Sequence, residues 1–174
     1  MTATRLVRPD DADALALLLT DNREFLAPTE PFRADSYYSA AGQRAVVEDL
    51  LAKHREGTSL PHVILDEPGD IVGRITLNEI VRGPFQSASV GYWVAQPANG
   101  RGIASAVLSQ IIEIAFDGLG LHRIQAGTLL DNEASQKVLQ RNGFQRIGVA
   151  PQYLKIAGRW QDHVLWQRLT PHPG

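Results

Sequence analysis

The sequence predicts a mixed α/β fold of about six to seven mostly antiparallel strands, flanked by about four helices and containing one parallel crossover. Three observations carry that prediction. Three strand patterns follow one another between residues 62 and 94, joined by turn signals and not by helix-length connections, which makes an antiparallel meander. A long apolar helical stripe over 103–118 then separates the meander from a further strand at 123–129, leaving room for a parallel crossover. Two last strand patterns close on the tight turn Ala157-Gly158.

The elements read in order as β α α β β β α β α β β. Arg5 to Arg8 is a short strand, and Pro9-Asp10 opens a helix with Leu15, Leu18 and Leu19 on its apolar side. The stretch from Asp21 to Arg33 holds two prolines and no clean period, and reads as a loop or broken helix. A longer helix over Ser36–Glu56 carries Val46, Val47, Leu50 and Leu51 as its stripe and stops at Gly57. His62–Leu65 and Ile71–Ile80 are strands around the turn Glu67-Pro68-Gly69-Asp70, and Ser87–Val94 completes the meander. The helix from Ile103 to Gly118 shows Ile103, Val107, Ile111 and Ile114 on one face. After the strand Arg123–Leu129, Asp131-Asn132 caps a short helix that runs to Arg141 and ends at Asn142-Gly143. Gln152–Ile156 and Asp162–Leu169 are the final strands.

Length and composition place the chain as one domain over residues 1–174 with a sizeable core. A formal net charge of -2 supplies neither a global field for nucleic acid nor a polybasic membrane signal. There is no cysteine, which excludes disulfides, thiolate metal sites and a cysteine nucleophile. The five histidines, His54, His62, His122, His163 and His172, show no metal-ligand spacing, so no metal is expected. The N-terminus lacks an apolar signal-peptide core and no apolar run is long enough to span a bilayer, which leaves a cytoplasmic protein as the expectation.

Three pieces can carry chemistry. Asn99-Gly100-Arg101-Gly102-Ile103-Ala104 lies between a strand and a helix. Its glycines let successive N–H groups converge on an anion such as a pyrophosphate at the helix N-terminus. A ligand-free connector accounts for the hexapeptide equally well. No lysine follows to make a P-loop, and Ser105 replaces the third glycine of a dinucleotide fingerprint, so a nucleotide triphosphatase and a dehydrogenase are both disfavoured. Asp131-Asn132-Glu133-Ala134-Ser135 reads first as an N-cap. Ser135 in the first helical turn also puts a hydroxyl where it can meet a developing anion. Arg141-Asn142-Gly143-Phe144 is a helix stop with an apolar anchor.

In this order and spacing the three pieces resemble the GNAT acetyltransferase superfamily. The family pattern Q/R-x-x-G-x-G/A is met as Asn99-x-x-Gly102-x-Ala104, with Asn99 the departure, and the later Asn-x-x-Ser helix and "NGF" ending are met by Asn132, Ser135 and Asn142-Gly143-Phe144. Within that superfamily, Val81-Arg82-Gly83-Pro84-Phe85, Gly91-Tyr92-Trp93 and the run Tyr153 to His163 look like the Rim-type ribosomal-protein N-terminal alanine acetyltransferases. Some members of that group use a glutamate before the "G-x-W-x-D-H" turn as the base for the amine. Leu154 stands at that place, so that role does not carry over.

The resemblance implies a GNAT fold and direct transfer of an acetyl group from acetyl-CoA to an amine, with no metal. The acceptor it implies is the N-terminus of a protein such as a ribosomal protein. It assigns the pyrophosphate to the N–H groups of Gly100, Arg101, Gly102, Ile103 and Ala104, with Asn99 beside them. Val94 backbone and Asn132 go to the pantetheine arm, and Ser135 to the departing thiolate. Glu79, on the strand before the Val81 turn, is the candidate proton acceptor, and a solvated strand-edge carboxylate is the more ordinary reading of it. Arg82, Phe85, Tyr92 and Trp93 are expected on the acceptor side. Two other functions stay open: an acetyltransferase for a small amine such as an antibiotic or polyamine, and a CoA-binding protein without catalysis. Neither nucleic acid nor membrane is expected as a direct partner, and the protein is expected as a monomer or homodimer.

Overall fold

The computed structural model describes residues 3–67 and 69–171. Pro68 of the anticipated turn, His172 and the first two residues lie outside them. The described elements are β1 (Ala3–Leu6), α1 (Ala12–Asp21), α2 (Arg23–Leu26), α3 (Ala40–Arg55), β2 (Leu60–Leu65), β3 (Ile71–Val81), β4 (Ser87–Val94), α4 (Ile103–Glu113), β5 (Arg123–Leu129), α5 (Glu133–Arg141), β6 (Gln145–Ile156) and β7 (Arg159–Leu169). They form a seven-stranded sheet in the order β1-β2-β3-β4-β5-β7-β6. All neighbouring pairs are antiparallel except β4 and β5. This is the predicted mixed α/β architecture, and the parallel pair is where the α4 crossover predicts it. Among the described residues no helix is long and apolar enough to cross a membrane.

Strand alternation divides the core between the two faces of the sheet. Ile64, Ile75, Val90 and Val94 pack toward α4 and α5 with Val107, Leu108, Ile111 and Leu139. Val63 and Trp93 point the other way and pack with Leu15, Leu19 and Leu26 of α1 and α2 and Val47 of α3. Successive β4 residues therefore serve opposite faces: Tyr92 packs with the first cluster and Trp93 belongs to the second.

Among the boundaries that differ from the sequence reading, three differ by four residues or more or change helix type, each for a local reason. The helix expected from Ser36 begins at Ala40, because Ser39 takes the cap position and its Oγ accepts from Gly42 N at 3.0 Å. A 3-10 turn, Asp35–Tyr38, fills the interval. The helix over 103–118 is α-helical to Glu113 and finishes as a π-helical turn, Ile114–Gly118. β6 starts seven residues before the expected Gln152, at Gln145. It is an exposed edge strand containing Pro151 and a register shift between Ala150 and Leu154, so it carries no buried alternation to read.

Candidate active site

β4 and β5 stay together only at their first residues, where Ser87, Ala88 and Ser89 pair with Arg123, Ile124 and Gln125. Beyond that point they part. A cavity of about 470 Å³ opens between Val90–Val94 on one side and Ala126–Leu129 on the other. Peptide groups facing this gap have no neighbouring strand to pair with, so a ligand with amide groups can take the place of the missing ladder.

At one end of the cleft the chain enters α4. Gly100 and Gly102 are left-handed, with φ of 76° and 78°. Gly102 is the N-cap residue and no side chain caps the helix. There is no acidic residue in the first turn. The first-turn N–H groups of α4 are thus left for an anion, on the positive end of the helix dipole. A Cβ built on Gly100 or Gly102 would meet no atom within 4 Å, so the space in front of this turn is open. These features fit a diphosphate. The Asn99 side chain is committed to the backbone: its Nδ2 donates to Val94 O and Ala95 O, both at 3.0 Å, and so closes off the end of β4. Arg101 turns outward to an ion pair with Asp66 at 3.7 Å.

The start of α5 forms the opposite wall. Asn132 caps this helix, its side-chain oxygen accepting from Ser135 N at 3.2 Å. That cap fixes the first turn and aims the Ser135 side chain across the cleft. Ser135 Oγ lies 2.9 Å from the Tyr92 hydroxyl. Burial pushes the Tyr92 phenol up to about 12, against the opposite effect of the Ser135 hydrogen bond. Tyr92 is therefore neutral at every working pH, and the pair is a two-hydroxyl relay with a proton to give. Tyr92 belongs to the α5 side of the cleft, whereas the sequence reading put it with the acceptor.

Trp93 is a buried core residue of the α1–α2 face. It lines the main cleft and also a second cavity of about 260 Å³ on the α1–α2 face, bounded by Tyr37, Tyr38 and Phe32. Leu26, Glu30 and Trp93 line both cavities, which meet at the C-terminal end of β4. Leu154 lines the main cleft, so the place of the missing glutamate is apolar.

Glu79, Arg82 and Phe85 are not brought to the cleft. β3 runs antiparallel to β4, so its C-terminal end lies beside Ser87 and Ser89, at the far end of β4 from Val94. The cleft wall on β4 begins only at Val90, and Glu79, Arg82 and Phe85 do not line it. Glu79 is exposed, in a bulge between Asn78 and Val81 with φ of 52°, and the solvated strand-edge carboxylate is the description that fits. Arg82 donates to Leu119 O at 2.5 Å, and Phe85 lies under the Arg123 guanidinium at 6.0 Å.

Sequence reasoning missed Glu30, Thr29 and His163, which line the cleft. The available signal for the first two was the non-periodic stretch from Phe25 to Phe32, which holds Pro28 and Pro31 and two aromatic side chains.

Comparison with known proteins gives the family and agrees with the fold. Residues 4–145 match the family model described as the acetyltransferase (GNAT) domain. The chain is 34% identical over 168 residues to the [ribosomal protein uS5]-alanine N-acetyltransferase of Escherichia coli (strain K12), covering 96% of this chain and 87% of that protein. It is 34% identical over 172 residues to the probable N-acetyltransferase YjcK of Bacillus subtilis (strain 168), covering 97% and 95%. Among solved structures, Mycobacterium smegmatis RimJ in complex with CoA-disulfide superposes with a TM-score of 0.93 at 33% identity, covering 97% of this chain and 81% of that one.

Proposed function

The chain belongs to the GNAT family of acetyltransferases, and from that premise we propose that it transfers an acetyl group from acetyl-CoA to the N-terminal amino group of a protein, a ribosomal protein being the first candidate. The observation that carries the reading is the pair of cavities that share Leu26, Glu30 and Trp93 at the end of β4, which we assign to donor and acceptor. Full-length similarity to an enzyme named for the alanine of uS5 supports the choice of acceptor.

The uncapped turn at Gly100–Ala104 holds the pyrophosphate through backbone N–H groups. The edge of β4 near Val94 and the amide of Asn132 hold the pantetheine arm. Acetyl-CoA supplies the activated thioester. The amine nitrogen attacks its carbonyl carbon directly, which suits a chain without cysteine. As the C–S bond breaks, the Ser135 hydroxyl donates to the leaving sulfur and is itself backed by Tyr92. An α-amine suits this site because its pKa of about 7.7–8.0 leaves roughly a tenth neutral at pH 7, whereas a lysine near 10.4 is neutral less than about one part in a thousand.

The test is initial rates of thiol release from acetyl-CoA against Ala- and Ser-initiated peptides, an N-blocked lysine peptide, polyamines and aminoglycosides. Turnover confined to the unblocked peptides is expected. Turnover only with a small amine would overturn the acceptor assignment, and CoA binding without any turnover would overturn the assignment of catalysis.

A further inference from the structure

Glu30 is the sole carboxylate among the described residues lining either cavity, and it lines both. It sits at the junction with Trp93 and Leu26, where an acceptor entering from the α1–α2 face first meets the donor cleft. Its backbone is anchored from the opposite side of the site: Ala157, in the turn between β6 and β7, donates its N–H to Glu30 O at 3.0 Å. The loop that carries Glu30 is thus tied across the cleft.

We infer that Glu30 binds the acceptor's ammonium group and takes its first proton, the role that the sequence reading gave to Glu79 and that some relatives give to the place of Leu154. The inference rests on the amine-acceptor reading above and deepens it.

The surroundings favour that role. Burial raises the Glu30 carboxyl above its usual value, and the nearby charges of Arg33 and Arg74 pull it back down. A carboxylate raised in this way is a better base than a solvated one. The neighbouring cations do not neutralise it by direct pairing. Arg33 stacks on Tyr37 at 4.9 Å, and its Nε is buried without a hydrogen-bond partner. Nη1 of Arg74, which projects from β3 on the face of its register partner Trp93, is likewise unpartnered. Arg23 is committed to Asp35 at 2.6 Å and lies over the Tyr38 ring. Of the other titratable groups facing the junction, Tyr92 is held by Ser135. His163 has its Nδ1 on Gln161 O at 2.9 Å, which leaves Nε2 as the competing base in the cleft.

The proton count closes. An ammonium group has two more protons than the amide N–H it becomes. One passes to Glu30 and then to water, leaving the neutral nitrogen to form the N–C bond. The other leaves the nitrogen of the adduct as the C–S bond breaks, and the sulfur gains a proton through Ser135. The products are the N-acetyl amide, the free thiol of CoA and one proton in solution.

The experiment is the pH profile of kcat/KM from pH 6 to 9.5 for the wild type, Glu30→Gln, Glu30→Asp and His163→Gln, with CoA affinity and Tm measured on each. Glu30→Gln is expected to lose about 10²-fold at pH 7. That loss shrinks about tenfold by pH 9, where the α-amine is neutral without help. Glu30→Asp recovers part of it, and CoA affinity and Tm stay at wild-type values. A loss of the same factor at every pH, retention within threefold at pH 7, or a pH-dependent loss in His163→Gln and not in Glu30→Gln would each overturn the assignment. A wild type that acetylates only a small amine defeats the N-terminal reading alone, because the same four profiles run on that amine still decide the role of Glu30.

Discussion

Ser135→Ala separates binding from chemistry at this site. The substitution deletes one hydroxyl in the first turn of α5 and leaves the backbone N–H that Asn132 caps, so the helix start is preserved. What is lost is the donor aimed at the leaving sulfur and the 2.9 Å partner of Tyr92. Loss of one well-aimed donor in acyl transfer costs about 10²–10³ in kcat. The lower end applies here, because a thiolate with a pKa of about 8.5 is already a fair leaving group. The expected effect is therefore about 10²-fold in kcat, or about 2.7 kcal/mol of transition-state stabilisation. Tyr92 keeps only a 3.5 Å contact to Ser135 O. Leaving that buried hydroxyl poorly paired costs about 1 kcal/mol, which lowers Tm by about 2–4 °C in a chain of this size. Steady-state kinetics with an Ala-initiated peptide, CoA titration and a thermal melt measure the three quantities. Retention of kcat within threefold, or a fall matched by an equal loss of CoA affinity, would refute the role given to Ser135.

Two further expectations concern the cofactor turn and pH. Gly102→Ala puts a side chain on a residue with φ of 78°, at a cost of about 1–2 kcal/mol, and pushes a methyl group toward the open space before α4. CoA affinity is expected to fall about tenfold, the worth of one hydrogen bond to a charged group, while Tm falls by a few degrees; unchanged affinity by calorimetry would remove the turn from the cofactor site. Burial, with His54 nearby, lowers the His62 imidazole to about 4. The unfolded chain takes up this proton near pH 6.5 and the folded one only near 4, so the folded state binds fewer protons across that interval and loses stability as pH falls through it. The full shift discounted for residual solvent is about 2 kcal/mol. Urea midpoints at pH 7.5 and 4.5 should show that fall, and His62→Gln should remove most of it.

How much was legible depended on where each residue is buried. Ser87–Val94 and Arg123–Leu129 were read to the residue because both are interior strands flanked by turn signals. The first half of β6 was not, since an exposed edge strand has no hydrophobic alternation to impose. The donor half of the site was legible because it is built from contiguous motifs: two glycines before a helix, and an asparagine cap three residues before a serine. The acceptor half was not, because it is assembled from a non-periodic loop, a strand face and a distant hairpin. Glu79 was misplaced for a related reason. Adjacency in sequence puts it near Arg82 and Phe85, and only the antiparallel register of β3 and β4 shows that this end lies beside Ser87–Ser89, short of the cleft that opens at Val90. Glu30 has the chemistry that Glu79 was expected to supply and arrives by the tertiary fold, from a segment whose composition marked it only as a loop or broken helix.

The central claim is most directly tested by tandem mass spectrometry of a peptide that begins with alanine and contains one internal lysine, incubated with the protein and acetyl-CoA. The account predicts a single added acetyl group, on the alanine α-amine. An acetyl group on the lysine, or no acetylation by a protein that demonstrably binds CoA, would contradict it.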